Sequence, residues 1–213
     1  MMPHAALGLP IAYVAGSFPS AYLAGRLLKG VDLRTVGSGN LGATNVYREL
    51  GAGAALAVYL LDAGKGALPV ALLPRVLDVG VPGSSSAVWW ALAYGIATLA
   101  GHSKPIFLLW KGGGKGVATA SGVFAALAPV PLVIALALFA TVTVSSGFVS
   151  LGSLVGSLVL PPLVLWHDGA TPVFWVSVAV AAFIWWSHRA NIKRLLAGTE
   201  NSIRRKRDGG TSS

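Results

Sequence analysis

The chain contains no cysteine. That excludes a disulfide framework, a thiolate nucleophile and any cysteine-based metal site, and it removes thiol lipidation. Charge is scarce as well. Only 11% of the 213 residues are Asp, Glu, Lys or Arg, less than half of the ~25% usual in a soluble domain. Acidic residues are the scarcer sign, 7 against 16 basic, for a formal charge of +9. Such low charge excludes a solvated single domain, and a hydrophobic content of 54% excludes a disordered chain. His-x-x-x-His pairs and acidic clusters are absent, so metal ligation has little support and no cofactor is expected. With a mean hydropathy of +0.71, the basic excess speaks for membrane topology and anionic lipid rather than nucleic acid.

What is present is a series of apolar runs long enough to cross or enter a bilayer. They lie near 5–28, 53–73, 84–100, 117–127, 130–143, 149–166 and 172–186. Pro129 and Pro131 fall between the fourth and fifth, so this stretch is either one kinked helix or two short ones. Charge decides the count. Basic residues gather around 26–48, 104–115 and 189–207. Seven spans put all three clusters on one side, and six would split them. The positive-inside rule therefore predicts an all-α integral membrane protein with seven transmembrane helices, amino terminus outside and carboxyl terminus cytoplasmic. The first run has no basic residue before it and reads as a retained helix rather than a cleavable signal. One polytopic domain is expected over 1–213, with cytoplasmic loops near 29–50, 101–116 and 187–201. A basic flexible tail is expected over 202–213, its Arg204-Arg205-Lys206-Arg207 run reading as a contact for anionic lipid.

The same loops hold the glycines. The first reads Gly37-Ser38-Gly39-Asn40-Leu41-Gly42-Ala43-Thr44-Asn45-Val46-Tyr47-Arg48. The second runs from Gly101-His102 to Lys111-Gly112-Gly113-Gly114-Lys115-Gly116. The third reads His188-Arg189-Ala190-Asn191-Ile192-Lys193-Arg194-Leu195. Successive glycine amides can form an anion-binding concavity. Flanking lysines add full charge, and a helix beginning after Gly116 adds the partial charge of its amino end. A flexible turn with topology-setting lysines is the plainer alternative. Three such loops on one face favour a phosphate or other oxyanion site.

Two apparent signatures fail on context. Gly37 to Gly42 matches G-x-G-x-x-G, with Asp62 at the spacing of a ribose-binding acid, but Asp62 lies inside an apolar span and no βαβ unit surrounds the motif. Gly114-Lys115 resembles a Walker A ending, but Gly116 stands where Ser or Thr would hold magnesium. Asp62 and Lys65 share a helix face. An ionisable pair within a span is either functional or a packing device. His188 and Asn191 also share a face and could orient a hydroxyl or bind phosphate oxygens.

Taken in order, these motifs resemble the acyl-phosphate:glycerol-3-phosphate acyltransferases of bacterial inner membranes, the PlsY family, over nearly the whole chain. Leu61-Asp62 with Lys65-Gly66 also fits. The resemblance implies a seven-helix enzyme that moves a fatty acyl group from acyl phosphate to the 1-hydroxyl of glycerol 3-phosphate. The products would be lysophosphatidic acid and inorganic phosphate. It implies Ser38 at the donor phosphate or oxyanion. Arg48, Lys115, His188 and Asn191 would hold glycerol 3-phosphate, with His188 or the departing phosphate taking the hydroxyl proton. Gly37, Gly39, Asn40, Asn45, His102, Lys111, Gly112, Gly113, Gly114 and Gly116 would be further substrate contacts. No obligate protein partner is implied. Two departures stand out: an extra glycine between Lys111 and Lys115, and Ala190 where a glutamate is common. A transporter for an organic phosphate would share the basic loops. It would also spread polar residues through the full depth of the bundle, whereas here they collect on one face. An acyltransferase built on His-x-x-x-x-Asp is disfavoured, because no histidine has aspartate five positions later.

Overall fold

The computed structural model describes residues 3–81 and 83–203; the basic run at 204–207 lies outside them. Among the described residues every regular element is helical. The first apolar run folds as α1 (Pro3–Ala6), α2 (Gly8–Gly16) and α3 (Ser20–Lys29). Pro19 forces the break between α2 and α3, because it has no N–H to continue the ladder. A short amphipathic helix, α4 (Ala43–Leu50), follows the first glycine loop. Then come α5 (Ala52–Val76), α6 (Ser85–Ser103), α7 (Val117–Leu127), α8 (Pro129–Ser146), α9 (Val149–Asp168), α10 (Pro172–Ser187) and α11 (Arg189–Leu196).

The seven apolar runs are therefore all helical, but they are not alike. Among the described residues four stretches, 4–29, 52–76, 129–146 and 149–168, are long and apolar enough to cross a membrane. Pro172–Ser187 makes a fifth if it is joined to Arg189–Leu196 across a 59° bend. The stretch around Pro129 folds as two helices, as the charge argument expected, with different partners: α7 packs along α5, and α8 along α9. At 11 residues, α7 rises only about 17 Å, roughly half of a bilayer core of about 30 Å. Close backbone approach fixes it in place. A Cβ on Gly122 would overlap the Ala63 carbonyl, and one on Gly66 would overlap that of Thr119.

Two of the buried apolar clusters frame the site. Leu92, Leu99, Phe124, Leu132, Leu160, Val164, Val180 and Ile184 join α6 through α10. Leu33, Leu41, Val46 and Val58 fold the first glycine loop and α4 against α5. Outward faces carry exposed Leu60, Leu68, Val133, Leu158, Trp166, Trp175 and Trp186, an apolar surface far beyond what a soluble monomer shows. The exposed tryptophans stand near helix ends, where the headgroup region favours their mixed character.

Candidate active site

One end of the bundle gathers Tyr59 and Asp62 of α5 and the ends of α6 through α10 around a cavity of about 340 Å³. Three helices begin in its wall: α4 at Gly42–Thr44, α7 at Gly116–Ala118 and α9 at Val149–Ser150. None of the three has a side-chain cap. Each helix start leaves unpaired N–H groups and a partial positive charge. Gly116 turns the chain into α7 with φ of +87°, a conformation that suits glycine. Three uncapped amino ends on one cavity make a strongly anion-attracting wall.

Full charges reinforce it. Lys115 and Arg48 both line the cavity. The Lys115 ammonium donates to Asn191 Oδ1, and Asn191 Nδ2 donates to Glu200 Oε1 at 2.6 Å. Glu200 also accepts from Ser150 Oγ at 2.9 Å and from Arg194 Nε at 2.7 Å. Burial works to raise the Glu200 carboxyl, but hydrogen bonds from Asn191, Arg194 and Ser150 outweigh it and hold it below its ordinary value. Burial pushes Lys115 down to about 8, against the attraction of Glu200 and with help from Arg194 and Arg48. Arg48 Nη2 donates to the Asn201 carbonyl at 2.8 Å, while its Nε is buried with no partner among the described residues.

His188 sits where α10 ends and α11 begins, 4% exposed. Its Nδ1 lies 2.8 Å from the Ile184 carbonyl. A carbonyl only accepts, so Nδ1 carries the proton and a neutral ring keeps its lone pair on Nε2. Ser187 Oγ ties this corner to the second loop through the Lys115 carbonyl at 3.2 Å.

Ser38, Asn40, Arg48, His102, Lys115, Gly116, His188 and Asn191 all reach the cavity wall. Gly37, Gly39, Asn45, Lys111, Gly112, Gly113 and Gly114, also expected as substrate contacts, do not line this cavity. Asn45 is fully buried, and its amide braces the first loop: Oδ1 accepts from Ser38 N at 2.8 Å, and Nδ2 donates to the Leu33 and Val36 carbonyls. The Gly39 amide is likewise spent on Val36 O at 3.1 Å. The expected cradle at Gly37–Gly39 is therefore largely satisfied within its own turn. Lys111, Gly112, Gly113 and Gly114 stay out of the wall. The Lys111 carbonyl accepts from Arg34 Nη1 at 3.2 Å, and Cβ atoms on Gly113 and Gly114 would overlap Ser103 O and the His102 ring. Gly113 and Gly114 thus permit close packing on the end of α6. Sequence reasoning missed Glu200 and Ser150. Both are ordinary in local context: Ser150 reaches the site from the start of α9, and Glu200 because the chain folds back after α11. The missing acid at Ala190 was the available signal that a carboxylate had to come from elsewhere.

A second, smaller cavity of about 50 Å³ lies between α7, α8, α9 and α10 and shares Val117, Phe139 and Ser153 with the first. Ser121, Ser153, Ser157 and Ser177 line it, and each bonds its hydroxyl to a carbonyl of its own helix. They therefore present small apolar surfaces.

Fold and site together define a multi-pass helical membrane protein with a cationic cavity at one end of its bundle and an apolar slot beside it. The sequence profile described as glycerol-3-phosphate acyltransferase matches residues 6–198, and the chain belongs to that family. It is 48% identical over 207 residues to a glycerol-3-phosphate acyltransferase of Synechococcus sp. (strain CC9902), covering 97% of this chain and 98% of that protein. It is 41% identical over 194 residues to one from Geobacter sulfurreducens, covering 91% and 95%. A crystal structure of PlsY (YgiH), an integral membrane glycerol 3-phosphate acyltransferase in its glycerol 3-phosphate form, superposes with a TM-score of 0.84 at 33% identity, over 94% of this chain and 96% of that one. The lysophosphatidic acid form of PlsY gives 0.81 at 32% identity, over 94% and 95%.

Proposed function

We propose that this chain transfers a fatty acyl group from acyl phosphate to the 1-hydroxyl of glycerol 3-phosphate, releasing lysophosphatidic acid and inorganic phosphate. The observation that carries this reading is the convergence of three uncapped helix starts with Lys115 and Arg48 on one cavity. Both substrates bring phosphate to such a wall, and the donor also brings a long chain, for which the adjoining slot offers an apolar route. The polar groups collect at one end of the bundle, which favours an interfacial enzyme over a carrier with a polar path through its full depth.

The chemistry is a single displacement. The acceptor oxygen forms a bond to the acyl carbon, the acyl carbon–phosphate oxygen bond breaks, and phosphate departs with the electron pair. Lys115, Arg48 and Asn191 hold the phosphate of glycerol 3-phosphate. Ser38 and the helix starts face the charge that develops on the acyl oxygen and the leaving phosphate. The acceptor hydroxyl hydrogen-bonds to His188 Nε2, and its proton passes to that nitrogen or to the departing phosphate. Acyl phosphate is already activated, so no acyl-enzyme is needed. Most of the acceleration comes from holding two anionic substrates together.

Seven spans, with the amino terminus outside and the cavity facing the cytoplasm of a bacterial inner membrane, fit the basic loops. The chain is one polytopic domain, and 204–207 engages anionic lipid. The direct test is conversion of radiolabelled glycerol 3-phosphate to lysophosphatidic acid by the purified chain in lipid, with palmitoyl phosphate as donor. Stoichiometric product and phosphate are expected; labelled substrate left unchanged by folded protein contradicts the reading.

A further inference from the structure

Asp62 and Lys65 lie in α5, and Asp62 is only 1% exposed. A charge there needs local partners. Asp62 Oδ1 accepts from Ser20 Oγ at 2.6 Å and pairs with Lys65 Nζ at 2.7 Å. The same ammonium donates to the Phe18 carbonyl at 2.9 Å. Those contacts pin the break between α2 and α3 onto α5, which is a packing role.

The fourth member of the cluster points elsewhere. His102 Nδ1 lies 3.8 Å from the same carboxylate oxygen. Asp62 and His102 both stand in the wall of the cavity that holds Lys115 and His188. His102 also meets the second loop twice. The Gly114 N–H donates to the His102 carbonyl at 3.2 Å, and the imidazole fills the space that a Cβ on Gly114 would need. Lys115 is the next residue. A contiguous path of packed groups therefore runs from Ser20 and Lys65 through Asp62 and His102 to Gly114 and Lys115.

We infer that Asp62 is a positioning residue for this reaction: its carboxylate packs against the His102 imidazole and sets the ring's place, the imidazole is the platform under Gly114, and that platform sets where the Lys115 ammonium meets the phosphate of glycerol 3-phosphate. The inference rests on the proposed role of Lys115. It explains why a buried ion pair stands beside the cavity when apolar packing alone would join the helices as well. It also gives the cluster a kinetic signature: loss of Asp62 weakens acceptor binding by way of His102.

The test is a double-mutant cycle of Asp62→Asn and His102→Gln, measuring the KM for glycerol 3-phosphate, kcat and thermal stability in lipid. Because Asp62→Asn leaves Lys65 without a counter-charge, the cycle is repeated in a Lys65→Met background. Each single variant is expected to raise KM by about 10-fold or more, as displacement of a binding group does, with kcat changed far less. The double variant is expected to match the single ones, because both act through one platform. Multiplying effects, or a lower melting temperature at wild-type KM, overturn the inference. So does failure of every Asp62 variant to fold, Lys65→Met background included, with His102→Gln at wild-type KM. Wild-type protein that makes no lysophosphatidic acid removes the functional reading instead, a distinct outcome.

Discussion

At the residue scale, Lys115 and His188 carry the clearest consequences. Burial lowers Lys115 to about 8, so the free protein holds a cation there below that pH and loses it above. The kcat/KM for glycerol 3-phosphate is therefore expected to fall as pH rises through about 8, which a pH–rate profile checks. Lys115→Arg keeps its charge and should lose that limb, while Lys115→Ala should raise KM or abolish turnover at any pH; normal kinetics for Lys115→Ala would remove the residue from the site. His188→Ala should cut kcat by about 100-fold or more if Nε2 takes the proton, at unchanged protein yield. Full activity would exclude it. Ser38, Arg48, Lys115, His188 and Asn191 were legible because short motifs carry them, and the structure brings all five to one cavity. Glu200 was not legible, since its three hydrogen bonds depend on the fold-back after α11.

At the element scale, what matters is how the loops are held. Asn45 looked like a substrate contact from its place in a glycine-rich motif, yet its side chain makes three hydrogen bonds inside the protein. A motif records that a residue is needed, not which way its amide faces. Asn45→Ala is expected to cost about 3 kcal/mol, near 1 kcal/mol for each bond lost, read as a lower melting temperature in detergent. A stability matching wild type would contradict the bracing role. The bounds of α7 were legible as the short run 117–127, but its packing along α5 was not, because periodicity cannot reveal which helix a segment packs against. Gly122→Leu should abolish folding or activity, since even a Cβ there meets the Ala63 carbonyl. Unchanged activity would mean that α5 and α7 can separate without consequence.

At the scale of the whole molecule, one end of the bundle gathers the cationic cavity and the flanks are apolar. Hydropathy made the helical membrane class legible, and the run at 117–127 already stood out as short, its 11 residues folding to half a span. Single cysteines introduced at positions 38, 111 and 191 should react with an impermeant reagent from the cytoplasmic side alone; reaction of any one from the opposite side would break the proposed seven-span topology. Chelation by EDTA should leave turnover intact, and a loss restored by a divalent ion would overturn the metal-free chemistry. The central claim is that phosphate-rich substrates meet at the cationic end of the bundle, with acyl phosphate as donor. The most direct measurement is phosphate release and lysophosphatidic acid formation by the purified chain, given glycerol 3-phosphate with palmitoyl phosphate and, in parallel, with palmitoyl-CoA. Product and phosphate from the acyl phosphate alone are predicted; product from the CoA ester alone would contradict the claim.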